Sequence, residues 1–151
     1  PDTTPEPFDR VTTDLVEAVS GATLIVSAVP LTPETRGILP RSVLQRADAP
    51  VFVNVSRAEI VDENVLFSAL SDGLIGAAGL DVWYRYPEPF WAERLPSTLP
   101  FHELRNVVLS PHAGSHVEEG KRGQLEGALT ALREYLETGD LRRPVDLDRG
   151  Y

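Results

Sequence analysis

Hydrophobic positions along the chain come in short, dense bursts separated by polar segments of helical spacing. Thr23-Leu24-Ile25-Val26-Ser27-Ala28-Val29 is a near-continuous apolar run, as is Val51-Phe52-Val53-Asn54-Val55. Runs of this kind suit strands covered on both faces, as in a parallel sheet. Ile75 to Val82 reads as a third strand, built from small residues that permit close packing, and Val107-Val108-Leu109 as a short fourth. Between them lie helix signals. Asp14 with Glu17 three residues on is a capping arrangement, and Gly21 stops that helix. Thr32-Pro33-Glu34-Thr35 predicts a helix start, with Thr32 as cap and Pro33 in the first turn. A second short helix is expected over Pro40 to Ala47, and a third from the cap Asp62 to about Ser71, ended by Gly73. The longest helix is expected from Val117 to Leu136, with Leu125, Leu129, Leu132 and Leu136 on one face and Gly139 beyond its end. Strands alternating with helices predict an α/β fold with a parallel, doubly wound sheet of the Rossmann type. Residues 84–104 break the rhythm. They are rich in proline and aromatic residues and too long for an ordinary connection, which marks a functional loop.

Composition narrows the function classes. Of 151 residues, 42% are apolar and 25% charged, the balance of a single globular domain. Fourteen Lys and Arg against 23 Asp and Glu leave a formal charge of −9, the wrong sign for a general nucleic-acid or anionic-membrane binder. The absence of cysteine excludes disulfides, thiolate catalysis and cysteine-ligated metal. No apolar run approaches the roughly 20 residues that span a bilayer, and no basic-then-apolar leader opens the chain, so a cytoplasmic protein is expected. The chain also lacks methionine, so Pro1 reads as a processed end or the start of a fragment.

Ligands of doubly wound sheets bind outside the carboxyl ends of the strands. Those ends carry Val29-Pro30-Leu31-Thr32, Asn54-Val55-Ser56-Arg57, Asp81 and Ser110-Pro111-His112-Ala113-Gly114. Arg57 could clamp a carboxylate with its planar fork, and His112 could exchange a proton near neutral pH. Together they suit reversible oxidation of an alcohol beside a carboxylate, while Asp81 could accept from an amide such as a nicotinamide carboxamide. Each residue also has a plainer use: Arg57 in a surface ion pair, Asp81 as a turn cap, and His112 as a structural loop residue. His102 and His116 have no evident partners and read as structural or solvent-exposed.

Four segments then resemble one family in the right order. They are Val29-Pro30-Leu31-Thr32-Pro33, Asn54-Val55-Ser56-Arg57 through Val61-Asp62, Leu80-Asp81-Val82-Trp83, and Asn106-Val107-Val108-Leu109-Ser110-Pro111-His112. The chain is similar over nearly its whole length to the D-isomer-specific 2-hydroxyacid dehydrogenases. The resemblance implies hydride transfer between a nicotinamide cofactor, NAD or NADP, and a small 2-hydroxy or 2-keto acid. Arg57 would bind the substrate carboxylate and His112 would be the acid/base. Asp81 would hold the nicotinamide amide, with Val29, Pro30, Val55, Ser56, Arg57, His112 and Ala113 along the cofactor cleft. A homodimer in the full-length protein is a further expectation from the family.

The family also pairs its histidine with a glutamate a few residues after the Leu-Asp-Val segment. Counting directly from Asp81 lands on Tyr86, whereas aligning the Glu-Pro pair selects Glu88, which is preferred because a carboxylate is the useful chemical type. Glu103 is a further option. Ala58 and Glu59 stand where the family pattern has glycines. No Gly-x-Gly-x-x-Gly occurs anywhere. Residues 1–115 are therefore expected to be the C-terminal part of a dinucleotide-binding domain lacking its first β-α-β unit, and 116–151 a crossover helix and tail returning to a substrate domain. Such a fragment is expected to be inactive alone. A non-catalytic dinucleotide-sensing or interaction module and an inactive remnant are the alternatives.

Overall fold

The computed structural model describes residues 8–89, 91–141 and 144–146. Four strands, β1 (Leu24–Ser27), β2 (Val51–Asn54), β3 (Ala77–Leu80) and β4 (Val107–Leu109), form one parallel sheet in the order β1-β2-β3-β4. The helices are α1 (Leu15–Val19), α2 (Arg41–Leu44), α3 (Glu63–Ser71) and α4 (Glu118–Thr138), with one-turn 3₁₀ helices at Ala58–Ile60 and Phe101–Glu103. The α/β parallel architecture is as the alternation of apolar bursts implies. Asp14 caps α1 by accepting from the Val16 and Glu17 amides, and Asp62 caps α3 through Asn64 and Val65.

Register decides what the sheet presents. Ser27, Asn54, Leu80 and Leu109 are cross-strand neighbours, so all four carboxyl ends open on one edge. One sheet face carries Ile25, Phe52, Ala78 and Val107, and a core of Phe52, Leu44, Ile60, Val61, Leu66 and Ile75 forms with it. The other face presents Leu24, Val26, Val51 and Val108, which stay 45–74% exposed. The expectation of strands covered on both faces therefore holds for one face only among the described residues.

Other differences have local causes. The helix expected from Thr32 is a turn. Thr35 Oγ1 donates to the Pro30 carbonyl at 2.7 Å, and Gly37, at φ +64°, donates its amide to the Glu59 carbonyl. The Thr35 side-chain bond competes with helix propagation, and the Gly37 amide is spent on that distant carbonyl. The Pro40–Ala47 helix shrinks to Arg41–Leu44. Helix α4 forms with its leucine stripe, yet Leu125, Leu129, Leu132 and Leu136 are all exposed.

The aromatic loop is anchored rather than free. Phe101 is 2% exposed and packs edge-on against Phe67 (5.2 Å between centroids) and Trp83 (6.4 Å), with Tyr84 stacked on it at 6.5 Å. The Tyr84 hydroxyl donates to the Val61 carbonyl. Burial, reinforced by the Glu63, Asp62 and Glu59 charges, holds that hydroxyl well above the usual tyrosine range. Glu63 ties down the loop's second half, accepting from Ser97 Oγ (2.6 Å), the Thr98 amide (3.0 Å) and Thr98 Oγ1 (2.8 Å).

Candidate active site

The end of β2 is shaped by a buried amide. Asn54 Oδ1 accepts from the Ser56 amide (3.1 Å) and Ser56 Oγ (2.9 Å), and Asn54 Nδ2 donates to the Arg57 carbonyl (2.9 Å). Ser56 Oγ also meets Ser27 Oγ of β1 at 2.8 Å. This web fixes the turn that delivers Arg57 at the edge, where its Nη1 donates to the Ser56 carbonyl at 2.7 Å. Asn54 is the organising residue here, and its place at the last strand position, before Ser and Arg, is the only sequence sign of it. Val29, Pro30 and Val55 are exposed at the neighbouring ends of β1 and β2.

Asp81 follows β3 directly. Its Oδ1 accepts from the Ala113 amide and its Oδ2 from the Gly114 amide, both at 2.9 Å. Partial burial opposes its ionisation. Hydrogen bonds from Ser110, Gly114 and Ala113, together with the His112 charge, outweigh that and hold the carboxyl below the usual aspartate range. A β-carbon on Gly114 would stand 2.8 Å from Asp81 Oδ2, so any other residue there would push the carboxylate out of this position. The loop 110–114 is thus clamped onto the end of β3.

That clamp presents His112, held in the left-handed region at φ +59°. Its Nδ1 lies 3.0 Å from Tyr86 Oη, with ring centroids 5.7 Å apart. Tyr86 Oη also accepts the Trp83 amide at 3.1 Å, and the Trp83 indole donates to the Ser110 carbonyl at 2.8 Å. Glu88 is exposed and has no hydrogen bond or ion pair among the described residues. The structure therefore brings Tyr86 to the histidine in place of the preferred Glu88. Tyr86 is also the position reached by counting directly from Asp81, whereas Glu88 rests on the chemical type of the side chain. Glu103 lies beside His102, 4.0 Å between side-chain atoms, and no hydrogen bond joins it to His112 among the described residues. A cavity of about 570 Å³ opens beside His112, lined by Trp83, Tyr86, Arg85, Arg94 and His116 among others, and Arg57 is not in its wall. Arg57 and His112 extend from β2 and β4, which flank β3 and are therefore about 10 Å apart.

A four-stranded parallel sheet with polar side chains gathered at its carboxyl edge is the arrangement in which open α/β proteins bind their ligands. Residues 2–114 match the family described as D-isomer specific 2-hydroxyacid dehydrogenase, NAD binding domain, and the chain belongs to that family. It is 38% identical over 132 residues to a hydroxyphenylpyruvate reductase from Plectranthus scutellarioides, covering 87% of this chain and 40% of the relative. It is 40% identical over 100 residues to the human glyoxylate reductase/hydroxypyruvate reductase, covering 66% and 28%. Among solved structures, a D-isomer specific 2-hydroxyacid dehydrogenase from Xanthobacter autotrophicus Py2 in complex with NADPH and MES superposes with a TM-score of 0.72. That pair is 33% identical, covering 91% of this chain and 42% of the other. The chain thus spans less than half the length of these relatives.

Proposed function

We propose that this chain is the nicotinamide-binding part of an NAD(P)-dependent oxidoreductase that interconverts a 2-hydroxy acid and a 2-keto acid. The observation that carries the reading is the shared edge. Three adjacent, in-register parallel strands deliver Arg57, Asp81 and His112 to one side of the sheet, in the order of the family's motifs. Family relatives are named glyoxylate and hydroxypyruvate reductases, and solved ones are described with NADPH, NADP or NAD.

The residues present fit the nicotinamide end of such a cofactor. An ionised carboxylate offers about four acceptor positions. Three of those on Asp81 serve Ser110, Ala113 and Gly114, leaving one for a carboxamide N–H. Val29 and Val55 offer exposed apolar surface at the adjoining strand ends. Pro30 contributes its ring and the second acceptor position of its carbonyl, the first being used by Thr35, and Ser56 keeps the edge in shape through Asn54. The Gly-x-Gly-x-x-Gly turn that cradles a dinucleotide pyrophosphate does not occur in this sequence.

A nicotinamide dinucleotide bound at this edge supplies the hydride chemistry. Arg57, freed from the Ser56 carbonyl, clamps the substrate carboxylate in two-pronged fashion. His112 gives a proton from Nε2 to the carbonyl oxygen during reduction and takes it back during oxidation. Asp81 holds the loop that aims the imidazole. The exposed leucines of α4 support reading residues 116–151 as a segment that packs on a further part of the protein, and a dimer of the full-length protein is proposed on the family's habit. The test is oxidation of NADH and NADPH by the full-length protein with a panel of 2-keto acids. His112→Gln is expected to lower kcat about 10²–10⁴-fold, the usual worth of a general acid, and Arg57→Gln to raise KM for the acid. Turnover that ignores both substitutions refutes the reading.

A further inference from the structure

Resting on that reading, we infer that Tyr86 is the positioning residue of His112, and that it aims the imidazole through a neutral hydroxyl rather than a carboxylate. Three observations lead there. Tyr86 Oη is 3.0 Å from Nδ1, and no other hydrogen-bond partner of His112 exists among the described residues. Tyr86 is itself fixed, because its oxygen accepts the Trp83 amide and Trp83 is locked to the Ser110 carbonyl, just before the histidine. The nearby carboxylate, Asp81, has its oxygens turned to the amides of Ala113 and Gly114 and does not reach the ring.

The chemistry of a phenol differs from that of a carboxylate at this position. With one oxygen site occupied by the Trp83 amide, Oη retains a hydroxyl hydrogen and a further acceptor position. It donates to Nδ1 when the neutral imidazole carries its proton on Nε2, and accepts from Nδ1–H when the ring is cationic or carries its proton on Nδ1. One side chain therefore holds the same ring orientation before and after the proton leaves Nε2. A carboxylate accepts only. It fixes one tautomer and, as an adjacent negative charge, favours imidazolium. Here the charged or titratable groups around the ring are Asp81, on the loop side, and Arg85, Arg94 and His116, which line the same cavity as Tyr86. Of these positions only residue 86 is in hydrogen-bond contact with the ring, at 3.0 Å, so a counter-charge placed there acts at the shortest range.

The test is NMR titration of isotope-labelled histidine in the full chain, with the His112 signal assigned by its loss in His112→Gln. Tyr86→Glu is expected to raise the His112 midpoint by about 1–3 pH units, the usual effect of an opposite charge in contact. Glu88→Gln is expected to leave it where it is. In turnover, Tyr86→Phe is expected to lower kcat roughly ten- to a hundredfold with KM little changed, the cost of a misaimed catalytic group. Tyr86→Glu is expected to restore kcat, with the pH profile of keto-acid reduction moved upward alongside the midpoint. A His112 midpoint indifferent to Tyr86→Glu, or one that moves with Glu88→Gln, overturns the inference. If the midpoint follows residue 86 but His112→Gln turns over normally, the positioning stands and the acid/base reading of His112 falls.

Discussion

Replacing Asp81 by Asn probes the hinge of the site with almost no change of shape. In the native protein both carboxylate oxygens accept backbone amides, from Ala113 and Gly114, each at 2.9 Å. An asparagine offers one oxygen and one NH₂ group. Whichever way it turns, one of the two amides faces a donor. A hydrogen bond to a charged group contributes about 1.5–3 kcal/mol, and the partly exposed position of Asp81 argues for the lower end. The expected loss is about 1.5–2 kcal/mol, or roughly 3–8 °C in Tm for a chain of this size. The pH dependence follows from the lowered native pKa of the carboxyl. A depressed native pKa gives stability that is fully present above the unfolded value, near 3.9, and is lost as pH falls through the native value. The gap between native protein and Asp81→Asn should therefore be widest from about pH 5 upward and close in stronger acid. Thermal unfolding by circular dichroism across pH measures it, and hydrogen exchange at the Ala113 and Gly114 amides reports the loop directly. Equal melting at neutral pH, or a gap that survives acidification, would show that the clamp is not what holds His112 in place.

Two further substitutions test the frame around the site. Glu63→Ala removes three hydrogen bonds to Ser97 and Thr98, so exchange and proteolysis within residues 85–99 should rise while the β2 and β3 amides stay protected. Burial works against ionisation of Glu63, but the bonds from Ser97 and Thr98 and the Arg85 charge hold its carboxyl below the usual range. The tether is therefore present above about pH 4.5 and lost as pH falls through the lowered native value, so native protein should come to resemble Glu63→Ala in acid. Phe101→Ala removes the ring against which Phe67, Trp83 and Tyr84 pack, and should cost about 3–5 kcal/mol in denaturant unfolding. A loss below about 1 kcal/mol would mean the aromatic loop is not part of the core.

The existence and order of the four strands, the Asp62 and Asp14 caps and the leucine stripe of α4 were legible in the sequence, because each depends on spacing within a few residues; the exposure of that stripe was not. So was the order of Arg57, Asp81 and His112, since parallel strands with helical crossovers bring their carboxyl ends to one edge whatever the details of packing. The turn at Thr32 was not legible. Whether Thr32 opens a helix depends on where Thr35 and Gly37 find their partners, and the partner of Gly37, the Glu59 carbonyl, is far along the chain. The partner of His112 was undecided for the same reason. Tyr86 and Glu88 are two residues apart on an irregular loop, and chemical type favours the carboxylate. Only the three-dimensional path, fixed by Trp83 on Ser110 and by Phe101 in the core, determines which side chain reaches the imidazole. Local pattern specified the elements and the edge on which the chemistry gathers. Contacts between residues distant in sequence decided which groups meet there, because a hydrogen bond depends on angstroms that no periodicity encodes.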